Sequence, residues 1–512
     1  MMKKAIKKVS NLLGQPQEHI RHHITQPDDS DISFYRNSIH KFDGSLIAMA
    51  RDHVSRFLIV FSERQGGVIT RFTGEQIGDV GIHARLCPLD ATNAAVLREL
   101  FFWTTPVSLK KQKTTIGCGD RLGLASAGHI AAIKHFDGVK PVLAQQSMRE
   151  LKLTNRTYRQ VVDDAVFQVF QVGYEGGYGA DGDHLKTIPD IDLALESGMP
   201  MITLDLSDVM RADAAKWGAG EIEKEFATFP EAERSRLLAN YAGKEFSIAK
   251  SPAVKFSKAA VMRCAVMYHK AMDFAAEVNS FLKQRRGEDY DLEISIDETT
   301  VPTLPEDHVF IINELHHRKV KPSSIAPRFI GEFQKGIDYI GDNEKFSSQF
   351  AIHCAIAATY GGYKISVHSG SDKFAVFPAI GSLTKGHVHL KTAGTSWLES
   401  LRMLAEEEHI LFKVIYKRAL IGFNEATKLY HVKTNLSMAP DIDKLYEDDY
   451  PKLLNRDDVR QILHITYGTI LNDHSIRPMF FSAMHKHEEY YHELVMAHFE
   501  KHLSALKLTR RA

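Results

Sequence analysis

Short runs of β-forming residues that end in polar side chains, and are followed by glycine and a helical pattern, recur along this chain of 512 residues. They restrict its fold more than any other feature. Three carry the clearest chemistry: Thr114-Thr115-Ile116-Gly117-Cys118-Gly119-Asp120-Arg121, Lys364-Ile365-Ser366-Val367-His368-Ser369-Gly370-Ser371-Asp372-Lys373 and His387-Val388-His389-Leu390-Lys391-Thr392-Ala393-Gly394. A strand ending in Asp, His, Ser or Lys presents those groups at its carboxyl edge, and a (β/α) barrel assembles its active site by repeating that unit.

The same rhythm predicts strands at Pro141–Gln145, Met201–Leu206, Asp291–Glu298 and Ser324–Arg328, for six or seven βα units in all. Helices are expected near Gly128–Phe136, Asn155–Val172, Ala253–Gln284, His308–His317, Lys345–Thr359 and Trp397–Glu408, where apolar residues recur at helical spacing. An open doubly wound sheet is the competing architecture, but such a sheet concentrates its chemistry at one switch point. Polar groups at several successive strand ends favour an α/β fold built on a TIM-like (β/α)8 barrel, with an N-terminal α+β cap and a C-terminal helical extension. The expected boundaries are 1–110 for the arm and cap, 111–440 for the barrel and 441–512 for the extension. Within the cap, residues 1 to about 30 read as a loosely attached arm, Arg56–Phe61 and Gly67–Phe72 as strands, and Thr92–Phe102 as a helix. The chain is expected to end in one helix from about Phe480 to Leu506.

Composition excludes several partners. Lys and Arg together number 64, as do Asp and Glu, so no net charge favours nucleic acid or an anionic membrane. The four cysteines (Cys87, Cys118, Cys264, Cys354) form no close pair, so neither a disulfide framework nor a zinc ribbon is indicated. The basic start Met1–Lys8 lacks the apolar core of a signal peptide, and no stretch approaches the roughly 20 apolar residues of a membrane span. A cytoplasmic enzyme acting on a small molecule is expected, and a homo-oligomer is compatible with the sequence.

Gly117–Gly123 nearly matches a dinucleotide fingerprint, but the charge of Asp120 would oppose phosphate. In the favoured reading Gly119 permits a tight exit turn, Asp120 acts as acid or base, and Arg121 clamps an anionic or hydroxylated substrate. Gly179-Ala180-Asp181-Gly182-Asp183-His184-Leu185-Lys186-Thr187 reads as a glycine-rich turn delivering Asp, His and Lys together. His368 and His389 end consecutive strands, which lie roughly 4.8 Å apart. With His184 they make a candidate three-histidine site for a catalytic divalent metal (Zn, Mn, Co or Ni). Glu298 is the second candidate acid/base; regular alternation sends Asp297 to the opposite face. Candidate substrate contacts are Gly119, Arg121, Gln145, Lys186, Arg328, Ser369, Ser371, Asp372, Lys391 and Thr392. His485, His487, His492, His498 and His502 are expected on a solvated helix face, because His487 and His492 miss the spacing of four that zinc proteases use.

At these same segments the chain resembles the tagaturonate epimerase family. The matching text is Gly119–Ala125, Asp183–Thr187, Asp297–Thr299, Ala326–Gly336, His368–Phe374 and Leu390–Ser396, in consistent order. Cys118 and Trp397 stand where other residues are expected. The resemblance implies a divalent-metal epimerase interconverting D-tagaturonate and D-fructuronate, with relatives acting on tagatose and fructose. These sugars differ at C4, which is β to the ketone, so simple enolisation cannot invert it. Retro-aldol cleavage of C3–C4, rotation of the aldehyde and re-formation of the bond would. That route asks for a Lewis acid at the C2 carbonyl and C3 hydroxyl, and for acid/base groups at the C4 hydroxyl, here Asp120 and Glu298. Arg121, Lys186, Lys391 or Arg328 would hold a uronate carboxylate. A metal-dependent ketose aldolase, a non-catalytic aldolase partner subunit and a nicotinamide oxidoreductase are the alternatives.

Overall fold

In a computed structural model, which describes residues 9, 11–25, 32–77, 82–249, 251–299, 301–392 and 394–511, eight parallel strands close into a barrel. In chain order they are β1 (Thr114–Gly119), β2 (Val139–Ser147), β3 (Gly179–Leu185), β4 (Met201–Asp205), β5 (Asp291–Ser295), β6 (Ser324–Ala326), β7 (Lys364–Val367) and β8 (Val388–Thr392). Each pairs with its sequence neighbours, and β8 closes onto β1. The basic stretch Met1–Lys8 and Ala393 lie outside the described residues.

Seven of these strands stand where the apolar runs predict them. The eighth, β3, was expected as a turn. It lacks an apolar run because its alternating inward side chains, Asp181 and Asp183, are carboxylates whose cationic partner, Lys391, comes from across the barrel. Asp183 and His184 together oppose the single residue Thr203 of β4, a bulge that re-aims the end of the strand. Its local strain is visible in the left-handed φ of +54° at His184, an uncommon conformation for a residue with a Cβ.

Four further expectations are corrected. Gly67–Arg71 is a 3₁₀ turn, entered through positive φ at Gly66 and Gly67, and not a strand. The long helix begins at Lys258, since Ser251–Lys255 pairs with Glu245–Ile248 in a hairpin. The terminal segment is two helices, Ile476–Lys486 and Glu488–Ala505, that meet at His487. Residues 11–25 are no loose arm: helix Gln17–Ile24 buries Ile20 and Ile24 against the N-terminal sheet.

That sheet alternates by strand period. Ile47, Met49, Leu58 and Val60 join the barrel core, whereas Leu46, Ala48, Ile59 and Phe61 face Val9, Leu13, Ile20 and Ile24. The C-terminal helices have a core of their own around Trp397, Phe412, Ile462 and Tyr467. No described helix is long and apolar enough to cross a membrane.

Candidate active site

The carboxyl ends of the strands open on a cavity of about 330 Å³, within the size range of small-molecule sites. Its floor is built around Lys391 of β8. The Lys391 ammonium lies 2.6 Å from Asp183, 2.9 Å from Asp181 and 3.1 Å from Glu293, and also donates to Thr203. Burial disfavours its charge, but the three carboxylates outweigh that and hold its pKa well above the ordinary value. Burial likewise pushes Asp181 up to about 6 despite the lysine, whereas Lys391 and His184 overcome burial and bring Asp183 below the usual range.

Above this floor His184 and His368 face each other with ring centroids 4.8 Å apart. His368 Nε2 lies 2.6 Å from Glu293, and its Nδ1 lies 3.1 Å from Asp297. Burial alone would lower the His368 pKa; Asp297 and Glu293 reverse this and raise it to about 10. His184 Nδ1 lies 3.5 Å from Asp205 at the end of β4.

These groups fit a divalent cation. One ligand atom from each of His184, Asp297 and His368 lies within 4.8 Å of the others, only modestly wider than the roughly 3–4 Å between donors around an ion with ligand distances near 2.1 Å. His368 Nδ1 is buried and points at Asp297 at 3.1 Å, so a cation replacing the proton between them would be held by both. Each imidazole has a carboxylate beside its other nitrogen, Glu293 for His368 and Asp205 for His184, the arrangement that orients metal-binding histidines.

Comparison with known proteins decides the family. A sequence profile described as tagaturonate epimerase matches residues 35–506. The chain is 36% identical over 473 residues to the tagaturonate/fructuronate epimerase of Thermotoga maritima, covering 92% of this chain and 96% of that protein. The native crystal structure of a fructuronate-tagaturonate epimerase from Cohnella laeviribosi superposes with a TM-score of 0.90 at 40% identity, covering 99% of this chain and all of that one. A glycerol complex of the same enzyme gives 0.89 at 41% identity over 93% of this chain and 97% of that one.

The chain belongs to the tagaturonate epimerase family.

In this epimerase, His184, His368, Lys391, Glu298, Arg328, Gln145 and Ser369 line the cavity. The other candidates do not. Asp120 accepts the backbone N–H groups of Leu122, Gly123 and Ala125 at 3.1, 2.9 and 2.7 Å, so its carboxylate shapes the turn after β1 and is not an acid/base at the cavity. Arg121 is buried, stacked 3.7 Å from the Tyr467 ring and bonded to the His464 carbonyl; it ties the barrel to the C-terminal helices and clamps no substrate. Gly119 accepts a hydrogen bond from Ser396, and Thr392 donates to the Gly117 carbonyl from the outer face of its strand. Lys186 sits outside the cavity wall, paired with Asp208 at 2.6 Å.

His389 is corrected by depth. Its register partners are Ser366 and Thr115, so the residue level with His368 is Lys391, two positions further along β8. His389 lies one layer deeper, bonded to Thr115 at 2.9 Å. Asp297 takes its place in the cluster because it shares strand parity with Glu293 and Ser295, which face the barrel interior, and Ser295 donates to it. The parity expected from the sequence is the wrong one, and Glu298 reaches the cavity because β5 ends at Ser295.

Ser371 and Asp372 are also placed away from the cavity. Asp372 pairs with Arg460 at 2.9 Å and His498 at 2.8 Å, and its backbone N–H donates to His502 Nε2. His502 is fully buried and His498 nearly so, which overturns the solvated face expected of the terminal helix. Asp372, His498 and His502 are close enough to hold an ion, but Arg460 and the engaged His502 nitrogen identify the group as a latch between the β7 loop and the terminal helix. Sequence reasoning missed Asp297, Glu293 and Asp205 as site groups, and also Arg149, Glu150 and Lys335 in the cavity wall. Lys335 lies inside a family-matching segment; Arg149 carries no local signal.

Proposed function

We propose that this epimerase interconverts D-tagaturonate and D-fructuronate by inverting C4, with a divalent metal held by His184, His368 and Asp297. The observation that carries the reading is the pairing of two facing imidazoles, each backed by a carboxylate, with an acidic wall beside them. A divalent ion bound there supplies Lewis acidity to the ketone, worth several kcal/mol of charge stabilisation.

The chain's own groups carry the rest. Glu298, in the cavity wall, accepts the proton of the C4 hydroxyl. The C3–C4 bond then breaks, its electron pair passing into the C2 carbonyl to leave a three-carbon enediolate, while C4 becomes an aldehyde. The aldehyde presents its other face, C3 attacks it, and Glu298 returns the proton to the new C4 alkoxide. Lys391 holds Asp183 and Glu293 in place and so fixes the floor. With its charge taken up by three carboxylates, Lys391 is not free for a substrate carboxylate.

NMR of D-fructuronate, and separately of D-fructose, with chelated and metal-restored enzyme tests the reading. It requires conversion to the C4 epimer only with metal. Free aldehyde as the product marks an aldolase instead, and solvent deuterium at C4 contradicts cleavage of C3–C4.

A further inference from the structure

The cavity wall carries cations as well as carboxylates. Lys335, Arg149 and Arg328 line it together with Glu150, Asp183, Asp297 and Glu298. Among the described residues no carboxylate lies within 4.0 Å of Lys335 or Arg149; Glu150, next to Arg149 in the chain, is taken up by Arg121 at 3.3 Å. The Lys335 ammonium donates to Ser369 Oγ at 2.9 Å. The Arg149 guanidinium lies 4.6 Å from the Tyr430 ring centroid and donates to the Leu429 carbonyl at 3.3 Å. Arg328 differs, since its guanidinium rests against the Asp297 carbonyl at 3.5 Å.

We propose that Lys335 and Arg149 form the subsite for the substrate's carboxylate and set the preference for a keto-uronate over a neutral ketohexose. This rests on the reading of the cavity as an epimerase site. Lys335 and Arg149 face one cavity with no carboxylate in direct contact, and a bound anion would give both a charged partner. Burial, with the charge of Arg149 added, lowers the Lys335 pKa, and Glu150 and Asp183 offset this only in part.

Placement matches the chemistry. Ser369 follows His368 directly and has a left-handed φ of +49°, which sets its hydroxyl beside Lys335. The lysine is therefore one hydrogen bond removed from a residue adjacent to the imidazole pair. In a 2-keto-hexuronate the carboxylate is C6, four bonds from the ketone, so one molecule spans the cavity with a different group at each end. Arg149 is pre-organised by stacking: Tyr430 is bonded to Tyr467 at 2.9 Å, and Arg121 stacks on Tyr467. A planar guanidinium held this way suits two-point recognition of a carboxylate.

The test compares kcat/KM for D-fructuronate and D-fructose in metal-loaded wild type, Lys335→Met and Arg149→Met, with calorimetric binding of D-fructuronate to each. Each variant is expected to lose about 10- to 100-fold in D-fructuronate kcat/KM, as a rise in KM, and the same factor in affinity, with D-fructose turnover within about threefold. Arg149 is exposed, so its truncation leaves the fold in place if Lys335→Met does not fold. Equal losses on both sugars, or unchanged binding of D-fructuronate, overturn the subsite. Wild type that binds D-fructuronate through these residues without epimerising it would instead sink the functional reading and leave the subsite standing.

Discussion

His368 Nε2 lies 2.6 Å from the carboxylate of Glu293, a residue of the barrel interior that is also bonded to Ser324 and Lys391. Strand β5 thus steers an imidazole carried by the loop after β7. Replacing Glu293 with Gln keeps the shape but removes the charge that polarises the ring. Metal affinity is expected to fall about 10- to 100-fold, the usual effect of losing such a carboxylate. The midpoint of a metal titration of chelated enzyme measures it; an unchanged midpoint excludes Glu293 as the group orienting His368.

Asp120 and Glu298 separate structure from chemistry. Asp120→Ala strands three backbone donors, each costing about 1–3 kcal/mol if left buried. It should lower Tm clearly while kcat stays within a few-fold. Glu298→Gln should do the reverse, cutting kcat by about 10²–10⁴ with Tm nearly unchanged. Thermal unfolding and steady-state kinetics on both variants decide, and a swap of the two profiles would restore Asp120 as the acid/base.

Burial lowers the His498 pKa, but Asp372 and Glu399 outweigh it, so the folded value is raised above 6.5. A raised folded pKa contributes stability that is complete below about 6.5 and is lost as pH climbs through the folded value. Arg460 and His502 also face this group, and the neighbouring Lys373, pushed down to about 7 by burial, acts in the opposite sense. The readout is therefore a difference: between pH 6 and 9, wild type should lose more Tm than His498→Gln. Parallel curves for the two proteins would show that the latch is not charged.

A Cβ added at Gly117 would stand 1.6 Å from Gln145 Oε1. Because the obstacle is the tip of a flexible side chain, Gly117→Ala should fold and turn Gln145 out of its place in the cavity wall. KM should rise severalfold, with Tm within a few degrees. Kinetics identical to wild type would remove Gln145 from the substrate contacts.

The contrast between β7 and β3 shows what was legible. Lys364–Val367 announces itself through β-branched residues and a polar terminus, and so do six other strands. β3 does not, because Asp181 and Asp183 depend on the charge of Lys391, more than 200 residues away in the chain.

Local patterning therefore determined the barrel, the order of its units, and the arrival of His184, His368, Lys391, Glu298 and Arg328 at one rim, since hydrophobic period and strand-end polarity act over a few residues. Depth and pairing were decided only in three dimensions. Register places Lys391 level with His368 and His389 a layer below it. Glu293, drawn inside by Lys391 and His368, fixes the parity of β5 that turns Asp297 inward, and the C-terminal helices bring Tyr430 to Arg149. Those outcomes depend on contacts between distant segments, whose energies no short stretch of sequence contains.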